Sequence, residues 1–204
     1  MTEYPDAFNG DHFLADKFRE LVKRHGIQTI IEGGTFEGKT TAALASMVPH
    51  VVTIEANATY YRRSDHLDSL EKVRRVKGDT IKTLPELLRQ AAPPVLYFAD
   101  AHWGLPTPTP HELRAIADSG IKPAVIVIHD VQVPDHPEFG FDSYADFTYT
   151  WEAINPLIED IYGPSGYSHS FNHQAAGAMR GALFIERSLE NLNKISIGHL
   201  TNVP

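Results

Sequence analysis

The sequence predicts an α/β protein with an open, doubly wound and mostly parallel sheet, and two observations lead to that fold class. Between residues 27 and 131, stretches typical of strands alternate with stretches typical of helices at the spacing of βαβ units. The predicted strand cores are continuously apolar, as parallel strands are when helices cover both faces of the sheet. No repeat or linker divides the 204 residues, so we expect one domain.

The predicted elements follow in a regular order. Residues 1–26 form an N-terminal helix that ends near Gly26. Within a core of residues 27–131, strands fall at 27–31, 50–55, 73–76, 94–100 and 124–130. Helices cover 40–47 and 57–70 and follow capping boxes at Thr83 and Thr109, the second helix stopping at Gly120. Residues 132–151 are a candidate substrate lid. A helix is predicted over 143–162, kinked or split at Pro156, and most of it lies in the last segment, residues 152–204. That segment also holds two predicted strands, at 167–173 and 182–186, which would form an antiparallel edge.

Composition excludes several classes of function. The formal net charge of −8 and the absence of a basic run argue against nonspecific binding to nucleic acid. The chain has no cysteine, which excludes disulfides, thiolate metal sites and a cysteine nucleophile. Residues 1–6 do not resemble a signal peptide, and no apolar run approaches the roughly 20 residues of a membrane span. We therefore expect a cytoplasmic protein that contacts neither nucleic acid nor membrane.

The most informative segment is the glycine-rich turn after the first strand, Glu32-Gly33-Gly34-Thr35-Phe36-Glu37-Gly38-Lys39-Thr40. A strand, a glycine turn and a helix in this order place backbone N–H groups and a helix N-terminus against a ligand. Gly33-x4-Gly38-Lys39-Thr40 fits the phosphate-binding P-loop pattern. Glu32-x-Gly34-x3-Gly38 fits a nucleoside-binding turn of different chemistry. The two interpretations predict different ligands.

Acidic residues close several of the predicted strands, at Glu32, Glu55, Asp100 and, beside His129, Asp130. The carboxyl ends of parallel strands meet at one edge of a sheet, where ligands bind in open α/β folds. Glu55 ends the second strand about 20 residues beyond the turn, where an acid hydrogen-bonds the hydroxyls of a ribose in dinucleotide sites. These acids therefore predict a nucleoside site.

The residues inside the turn argue against a P-loop. Phe36 is large for a loop that wraps phosphates, and Glu32 and Glu37 bring negative charge toward them. The same acids suit a ligand with a sulfonium and an amino group, and Lys39 is then expected on the exposed side of the following helix. Two alternatives stay open at this point, which are a P-loop kinase or NTPase and a nonenzymatic nucleoside-binding protein on the same fold.

Together these segments resemble the class I S-adenosylmethionine-dependent methyltransferases. The likeness is greatest to their small, often metal-dependent O-methyltransferase branch, of the catechol and caffeoyl-CoA type and with related antibiotic-sugar enzymes. The resemblance covers roughly residues 28 to 131, and its specificity comes from the order and spacing of five segments, at 31–41, 52–55, 78–80, 96–102 and 125–130. It implies a Rossmann-like, doubly wound seven-stranded sheet, mostly parallel with an antiparallel last strand.

The resemblance also implies a cofactor, S-adenosylmethionine, and residues that bind it. Glu55 would hold the ribose, Asp79 and Thr80 the adenine side, and Asp100 would close the site. The turn would cradle the methionine part of the cofactor through Glu32, Gly34, Thr35 and Gly38, with Gly33 and Thr40 of the same turn counted in the site.

In metal-dependent members of that branch, the acids that close the fourth and fifth strands hold a divalent cation. Asp100 and Asp130, with His129 beside them, are the corresponding residues here. His129 stands where an acid is common, which weakens the case for magnesium and leaves room for a softer metal or for none.

Methyl transfer needs an acceptor that has lost its proton. A metal at Asp100 and Asp130 could lower the pKa of a hydroxyl, or a histidine could act as the general base, and His102, His129 and His136 lie next to the predicted rim. Phe139 and Phe141 are candidates for a mobile lid over an apolar acceptor. We expect a small-molecule acceptor with an aromatic or sugar hydroxyl, and a homodimer remains open.

Overall fold

The computed structural model describes residues 4–101 and 105–188, which form a seven-stranded sheet with helices on both faces. A 3₁₀ turn at Ala7–Gly10 precedes the first helix, and a second one at Asp65–Ser69 follows the third. In chain order the main elements are α1 (His12–His25), β1 (Thr29–Gly33), α2 (Lys39–Ala45), β2 (His50–Glu55), α3 (Ala58–Arg63), β3 (Val73–Lys77), α4 (Thr80–Gln90), β4 (Val95–Ala99), α5 (Pro108–Ser119), β5 (Val125–His129), α6 (Trp151–Tyr162), β6 (Tyr167–Phe171) and β7 (Ala182–Arg187).

The strands lie in the order β3-β2-β1-β4-β5-β7-β6. All neighbouring pairs from β3 to β5 are parallel, and β7 runs antiparallel to both β5 and β6. The predicted fold class, a doubly wound seven-stranded sheet with an antiparallel last strand, is confirmed. The chain order reverses between β1 and β4, so the crevice of a switch point opens beside the carboxyl ends of these two strands.

The hydrophobic core has two layers, one on each face of the sheet. Neighbouring strand residues point to opposite faces, so Ile30 packs with one layer and Ile31 with the other. The layer under α1 and α2 contains Phe18, Leu44 and Phe98, and the layer under α4, α5 and α6 contains Leu84, Leu113 and Ile158. Both layers are continuous beneath the turn after β1, which gives that turn a rigid base.

Several helix boundaries differ from the predicted ones. The predicted helix over 57–70 is wrong, since α3 ends at Arg63. Arg75 of β3 donates a hydrogen bond to the carbonyl oxygen of Tyr61, which a continuous helix would use for its own ladder. Helix α4 begins one turn before the predicted box at Thr83, because Asp79 accepts a hydrogen bond from the Ile81 N–H at 3.0 Å and caps the helix there.

The predicted helix over 143–162 is also shorter than expected. Helix α6 begins at Trp151, and Thr150 caps it by accepting from the Ala153 N–H. Residues 143–148 form a tight loop in which the Tyr144 N–H donates to the carbonyl oxygen of Phe147 at 2.8 Å. Tyr144 and Phe147 have the spacing of residues on one face of a helix, but in this loop their rings pack on Tyr149. Pro156 lies within α6 and does not split it.

No helix in the described parts of the chain combines the length and the apolar character that crossing a membrane requires.

Candidate ligand-binding cleft

The connection between β1 and α2 requires glycine at its first position. Gly34 has φ +92°, a conformation that side chains rarely adopt. A Cβ atom at Gly34 would lie 2.7 Å from the carbonyl oxygen of Asp100, the residue that follows β4. The turn and the end of β4 therefore pack backbone against backbone, and the crevice between them stays open for a ligand.

Glu55, the acid that closes β2, anchors the middle of the turn. Its Oε2 accepts a hydrogen bond from the Phe36 N–H at 2.9 Å, and its Oε1 accepts one from the Asn57 N–H at 2.7 Å. Phe36 has φ +49°, and its ring packs on Tyr60 with centroids 4.5 Å apart. Both of these donors are neutral backbone groups, and the carboxylate retains lone pairs that can accept from a ribose.

Glu32 lies beneath the turn and is almost fully buried. Its Oε2 accepts hydrogen bonds from the hydroxyls of Thr41 and Thr53, and the latter hydroxyl lies 2.6 Å from that of Thr35. Burial raises the pKa of Glu32 to about 8, against the lowering effect of the two hydrogen bonds. The sequence-based prediction placed Glu32 in direct contact with a ligand, whereas here it supports the turn from below.

A cleft of about 390 Å³ opens above the turn. Its described lining comes from the N-terminal segment, from the turn and from the end of β4, and its charged members are Asp6, Glu37, Lys39 and Asp100. Lys39 is half-exposed and lies 3.5 Å from Asp6 and 3.8 Å from Glu37. The lining therefore carries more negative than positive charge, and its one lysine already has acidic neighbours. Gly34, Thr35, Gly38 and Thr40, four of the residues predicted to bind a cofactor, also line the cleft.

Sequence reasoning missed the N-terminal wall of this cleft, which is made by Asp6, Asn9 and Gly10. The wall is held in place by Phe8, whose ring packs on Phe18 at 5.0 Å and whose N–H donates to the Thr40 hydroxyl at 2.9 Å. Thr40 therefore fastens this segment to α2. The bond from Phe8 to Thr40 spans 32 positions of sequence, so no local pattern could have indicated it.

The predicted adenine-side residues lie at the start of α4. Asp79 caps the helix, and its side chain also lies 3.7 Å from Lys82. Thr80 is buried, and its hydroxyl donates to the carboxylate of Glu112 on α5. A Cβ atom on Gly33 would lie 2.9 Å from the Tyr97 hydroxyl and 3.3 Å from Thr80, so Gly33 gives these buried groups room under the turn.

Asp100, His129 and Asp130 form a cluster at the carboxyl ends of β4 and β5. His129 Nδ1 lies 3.0 Å from Asp100 Oδ1 and 3.3 Å from Asp130 Oδ2. Burial lowers the pKa of His129, but the charges and hydrogen bonds of Asp100 and Asp130 outweigh it and raise the pKa to about 10. The two carboxylates thus favour the protonated form of His129, whereas the general base predicted from sequence would be neutral.

Arg180, just before β7, completes this cluster, and sequence reasoning missed it. Its Nε donates to Asp130 Oδ1, and its Nη2 donates to Asp142 Oδ1. Because β7 is antiparallel to β5, the residues that precede Ala182 return to the same edge as the carboxyl ends of the parallel strands. That topology is the signal that could have directed attention to Arg180.

The ligand atoms of Asp100, His129 and Asp130 lie within 4.8 Å of one another, so the three predicted metal ligands do come together. A divalent cation nevertheless fits this donor set poorly. One oxygen of Asp130 accepts from Arg180 and the other lies against His129. A cation bound to Asp130 would therefore displace one of these partners and would meet the permanent charge of the guanidinium.

The remaining predicted residues lie apart from this cluster or outside the described residues. His136 pairs with Glu138 at 2.9 Å and stacks on Phe139 at a centroid distance of 4.7 Å. Phe139 is buried, which contradicts its predicted role in a mobile lid, whereas Phe141 is exposed. His102 lies outside the residues that the structure describes.

Exposed large apolar side chains concentrate on the loops at this edge of the sheet. Phe36 follows β1, Leu105 follows β4, Phe141 follows β5 and Met179 precedes β7. Within the described residues these four are the large hydrophobic side chains classed as exposed. They form an apolar border along this edge of the sheet, and Phe36 among them also lines the cleft.

No family model matches the chain, and no curated protein matches it. Solved structures do match it. An O-methyltransferase from Bacillus cereus, in complex with SAH, shares 18% identity with a TM-score of 0.63, over 87% of this chain and 81% of that chain. The O-methyltransferase TomG from Streptomyces achromogenes, involved in tomaymycin synthesis and in complex with SAM, shares 19% identity with a TM-score of 0.63, over 86% and 79%.

A more distant match is an rRNA methylase from Streptococcus thermophilus, at 12% identity and a TM-score of 0.54, over 86% of this chain and 95% of that chain. At these identities the likeness shows a shared fold. The chain thus has the fold of class I methyltransferases, and the named acceptors differ among the proteins that share it, so the acceptor has to be argued from the site.

Proposed function

We propose that this chain is an S-adenosylmethionine-dependent methyltransferase that methylates a hydroxyl oxygen of a small, partly apolar molecule. The acidic cleft over the turn after β1 carries the proposal. Its described lining contains three acids and one lysine, a charge excess that suits a ligand with a sulfonium and an amino group. Glu55 closes β2 behind the turn, where its carboxylate would accept hydrogen bonds from the hydroxyls of a ribose.

A phosphate ligand fits the same cleft poorly. The lysine of the P-loop spelling, Lys39, is half-exposed and already neighbours Asp6 and Glu37. A triphosphate would also face Asp100 across the turn. The kinase or NTPase alternative is therefore not favoured.

The proposed acceptor follows from the apolar border along this edge of the sheet. The apolar border formed by Phe36, Leu105, Phe141 and Met179 favours a molecule with an aromatic or aliphatic part over a fully polar one. Phe141 is the better placed member of the predicted lid, because Phe139 is buried.

The residues at the rim can prepare a hydroxyl for transfer. S-adenosylmethionine, when bound, supplies a methyl group on a positively charged sulfur that an oxygen can attack. A hydroxyl beside Asp100 passes its proton to that carboxylate, and the His129 imidazolium stabilises the oxyanion that results. Asp100 then loses the proton to solvent, and Asp130 holds His129 in its orientation. The buried core under the turn keeps bulk water away from one side of the Asp100 and His129 pair.

Calorimetric titration with S-adenosylhomocysteine and, separately, with Mg-ADP tests this proposal. We expect the first ligand to bind and the second not to bind. Glu55→Ala should weaken binding of the first ligand by about 1.5–3 kcal/mol, the scale of hydrogen bonds to a charged group. Glu71→Ala, at an exposed position, serves as the matched control. Binding of Mg-ADP alone would overturn the proposal, and cofactor binding without transfer to any of a panel of phenols and sugars would favour the nonenzymatic alternative.

A further inference from the structure

We propose that Arg180 takes the place of a divalent cation on the acceptor side of the cleft, so that this chain transfers methyl groups without a metal. The statement about ion binding stands on the geometry of Asp100, Asp130 and Arg180. The statement about transfer rests in addition on the proposed function.

The guanidinium of Arg180 bridges two carboxylates. Its Nε donates to Asp130 Oδ1 and its Nη2 donates to Asp142 Oδ1, so two sides of the planar fork are engaged. Asp130 is almost fully buried, and the side chains of Asp142 and Arg180 are about three-quarters buried. Ion pairs at this depth are screened much less than surface pairs, so the guanidinium is a lasting part of the site.

Three segments of the chain are built around this side chain. The Gly140 N–H donates to the carbonyl oxygen of Met179, and the Gly181 N–H donates back to the carbonyl oxygen of Gly140. A Cβ atom on Gly140 would lie 2.7 Å from Arg180 Nη1, so the glycine leaves room for the guanidinium. This packing fixes the arginine over the end of β5.

Asp142 is fixed in the same way. Its N–H donates to the carbonyl oxygen of Asp130 at 2.9 Å, and its Oδ2 accepts from the Tyr144 hydroxyl at 2.6 Å. Both partners of Arg180 are therefore held before any ligand arrives. A surface arginine that met an acid by chance would not have both acids positioned by backbone and side-chain bonds.

The charge arrangement explains why a metal has no place here. A hard divalent cation needs several carboxylate oxygens. Asp100 after β4 and Asp130 and Asp142 after β5 offer carboxylate oxygens, but the guanidinium occupies one oxygen of each of the last two. Because a guanidinium cannot lose its proton in a protein, it supplies permanently the positive charge that a metal would supply there.

Removing the guanidinium should turn the cluster into a metal site. Titration with Mn²⁺, followed by the electron paramagnetic resonance signal of the free ion, is compared between the wild type, Arg180→Ala and Arg180→Lys. Arg24→Ala is the matched control, because Arg24 also pairs with acids, Glu20 and Glu186, but outside the site. We expect at least about tenfold tighter binding in Arg180→Ala than in the other three proteins, since the two carboxylates of Asp130 and Asp142 then lose the guanidinium.

The wild type decides the inference even if Arg180→Ala fails to fold. If the wild type binds Mn²⁺ and Asp130→Asn does not, the inference is overturned. It is also overturned if Arg180→Ala folds but binds Mn²⁺ no more tightly than the wild type. Transfer by the wild type at an unchanged rate in EDTA supports the second statement, and a rate restored only by added metal overturns it. S-adenosylhomocysteine binding is measured in parallel, so that a failure of the proposed function is recognised without the Mn²⁺ result.

Discussion

Two regions of the candidate site hold their acids by different means: the turn after β1, which we propose as the cofactor side, and the cluster of Asp130 and Arg180, which we propose as the acceptor side. On the cofactor side, Glu32 accepts from threonine hydroxyls and Glu55 accepts from backbone N–H groups, all of them neutral donors. On the acceptor side, Asp130 is held by two cationic side chains, His129 and Arg180. Neutral donors leave the charge of the Glu55 carboxylate available to a ligand, and Glu32, whose pKa is raised to about 8 by burial, is mostly protonated at neutral pH. Cationic partners cancel the charge of Asp130.

This difference matches the chemistry proposed for each side. A positively charged cofactor gains from acids whose charge is not cancelled, and Glu55 is placed to provide that charge. An acceptor that is neutral and partly apolar gains from a rim whose acids are already paired, because it need not desolvate free carboxylates. The three predictions that follow test how far the two sides are independent, starting with a residue that touches both.

The largest effect is expected for Gly34→Ala. A methyl group at φ +92° is strained, and it would lie 2.7 Å from the carbonyl oxygen of Asp100, a backbone atom that cannot yield without disturbing β4. We expect a loss on the order of 5 kcal/mol in the free energy of unfolding, from strain and overpacking together. Chemical denaturation measures the loss, and both ligand sites should fail together.

Gly26→Ala is the control for this change. Gly26 also has a left-handed conformation, at φ +60°, but a Cβ atom there would meet nothing within 4 Å. It should cost only about 1 kcal/mol and leave S-adenosylhomocysteine affinity intact. If the two variants lost equal stability, the close approach of the turn to Asp100 would contribute nothing to the destabilisation. The contact between the two sides at Gly34 would then not matter for stability.

The cofactor side could be predicted from sequence because its determinants are local. The turn and the acid Glu55 lie within about 20 residues of one another, and strand alternation fixes which ends meet. The fold class and the convergence of Asp100, His129 and Asp130 followed from the same rule. The end of α3 was less predictable, because Arg75 decides it through a contact with Tyr61 that helix propensity does not encode.

The acceptor side could be predicted only in part, because its determinants are distant in sequence. Arg180 reaches Asp130 across 50 positions and Asp142 across 38. Only the antiparallel direction of β7, which the periodicity does not reveal, brings the residue before that strand to the rim. The predicted helix over 143–162 starts too early for a related reason, since Tyr144 and Phe147 have helical spacing but their rings pack on Tyr149 in a loop.

An intermediate effect, limited to the cofactor side, is expected for Glu32→Gln. The pKa of Glu32 is about 8 in the folded protein, above its ordinary value of 4.5. A raised pKa of the folded state means that stability is fully present below pH 4.5 and is lost as the pH rises through 8. Glutamine keeps a hydrogen-bond acceptor for Thr41 and Thr53 but does not ionise, so the variant should be more stable than the wild type at pH 9 by roughly 3–5 kcal/mol.

The difference between the two proteins, measured by urea denaturation from pH 5 to pH 9, isolates this residue from the other groups that titrate. Glu71→Gln, at an exposed position, should change little over the same range. The Asp130 and Arg180 cluster should be unaffected, so Mn²⁺ binding should match the wild type. A Glu32→Gln curve parallel to the wild-type curve would show that Glu32 ionises normally, and the contrast between neutral and ionic support would then fail for this acid.

The smallest effect is expected for Lys39→Ala, which should disturb neither side. Lys39 is half-exposed, and its distances of 3.5 Å to Asp6 and 3.8 Å to Glu37 describe surface ion pairs. Such pairs contribute about 0–1 kcal/mol, and removing the lysine leaves the cleft more negative, which favours a cationic ligand. We therefore expect S-adenosylhomocysteine affinity within about threefold of the wild type, with Lys23→Ala on α1 as the control for lost surface charge. Calorimetric titration at low and at physiological salt measures this affinity.

A loss of affinity above about thirtyfold, or roughly 2 kcal/mol, would mean that the lysine binds the ligand as a P-loop lysine does. The cofactor side would then have to be described as a phosphate site rather than as an acidic nucleoside site.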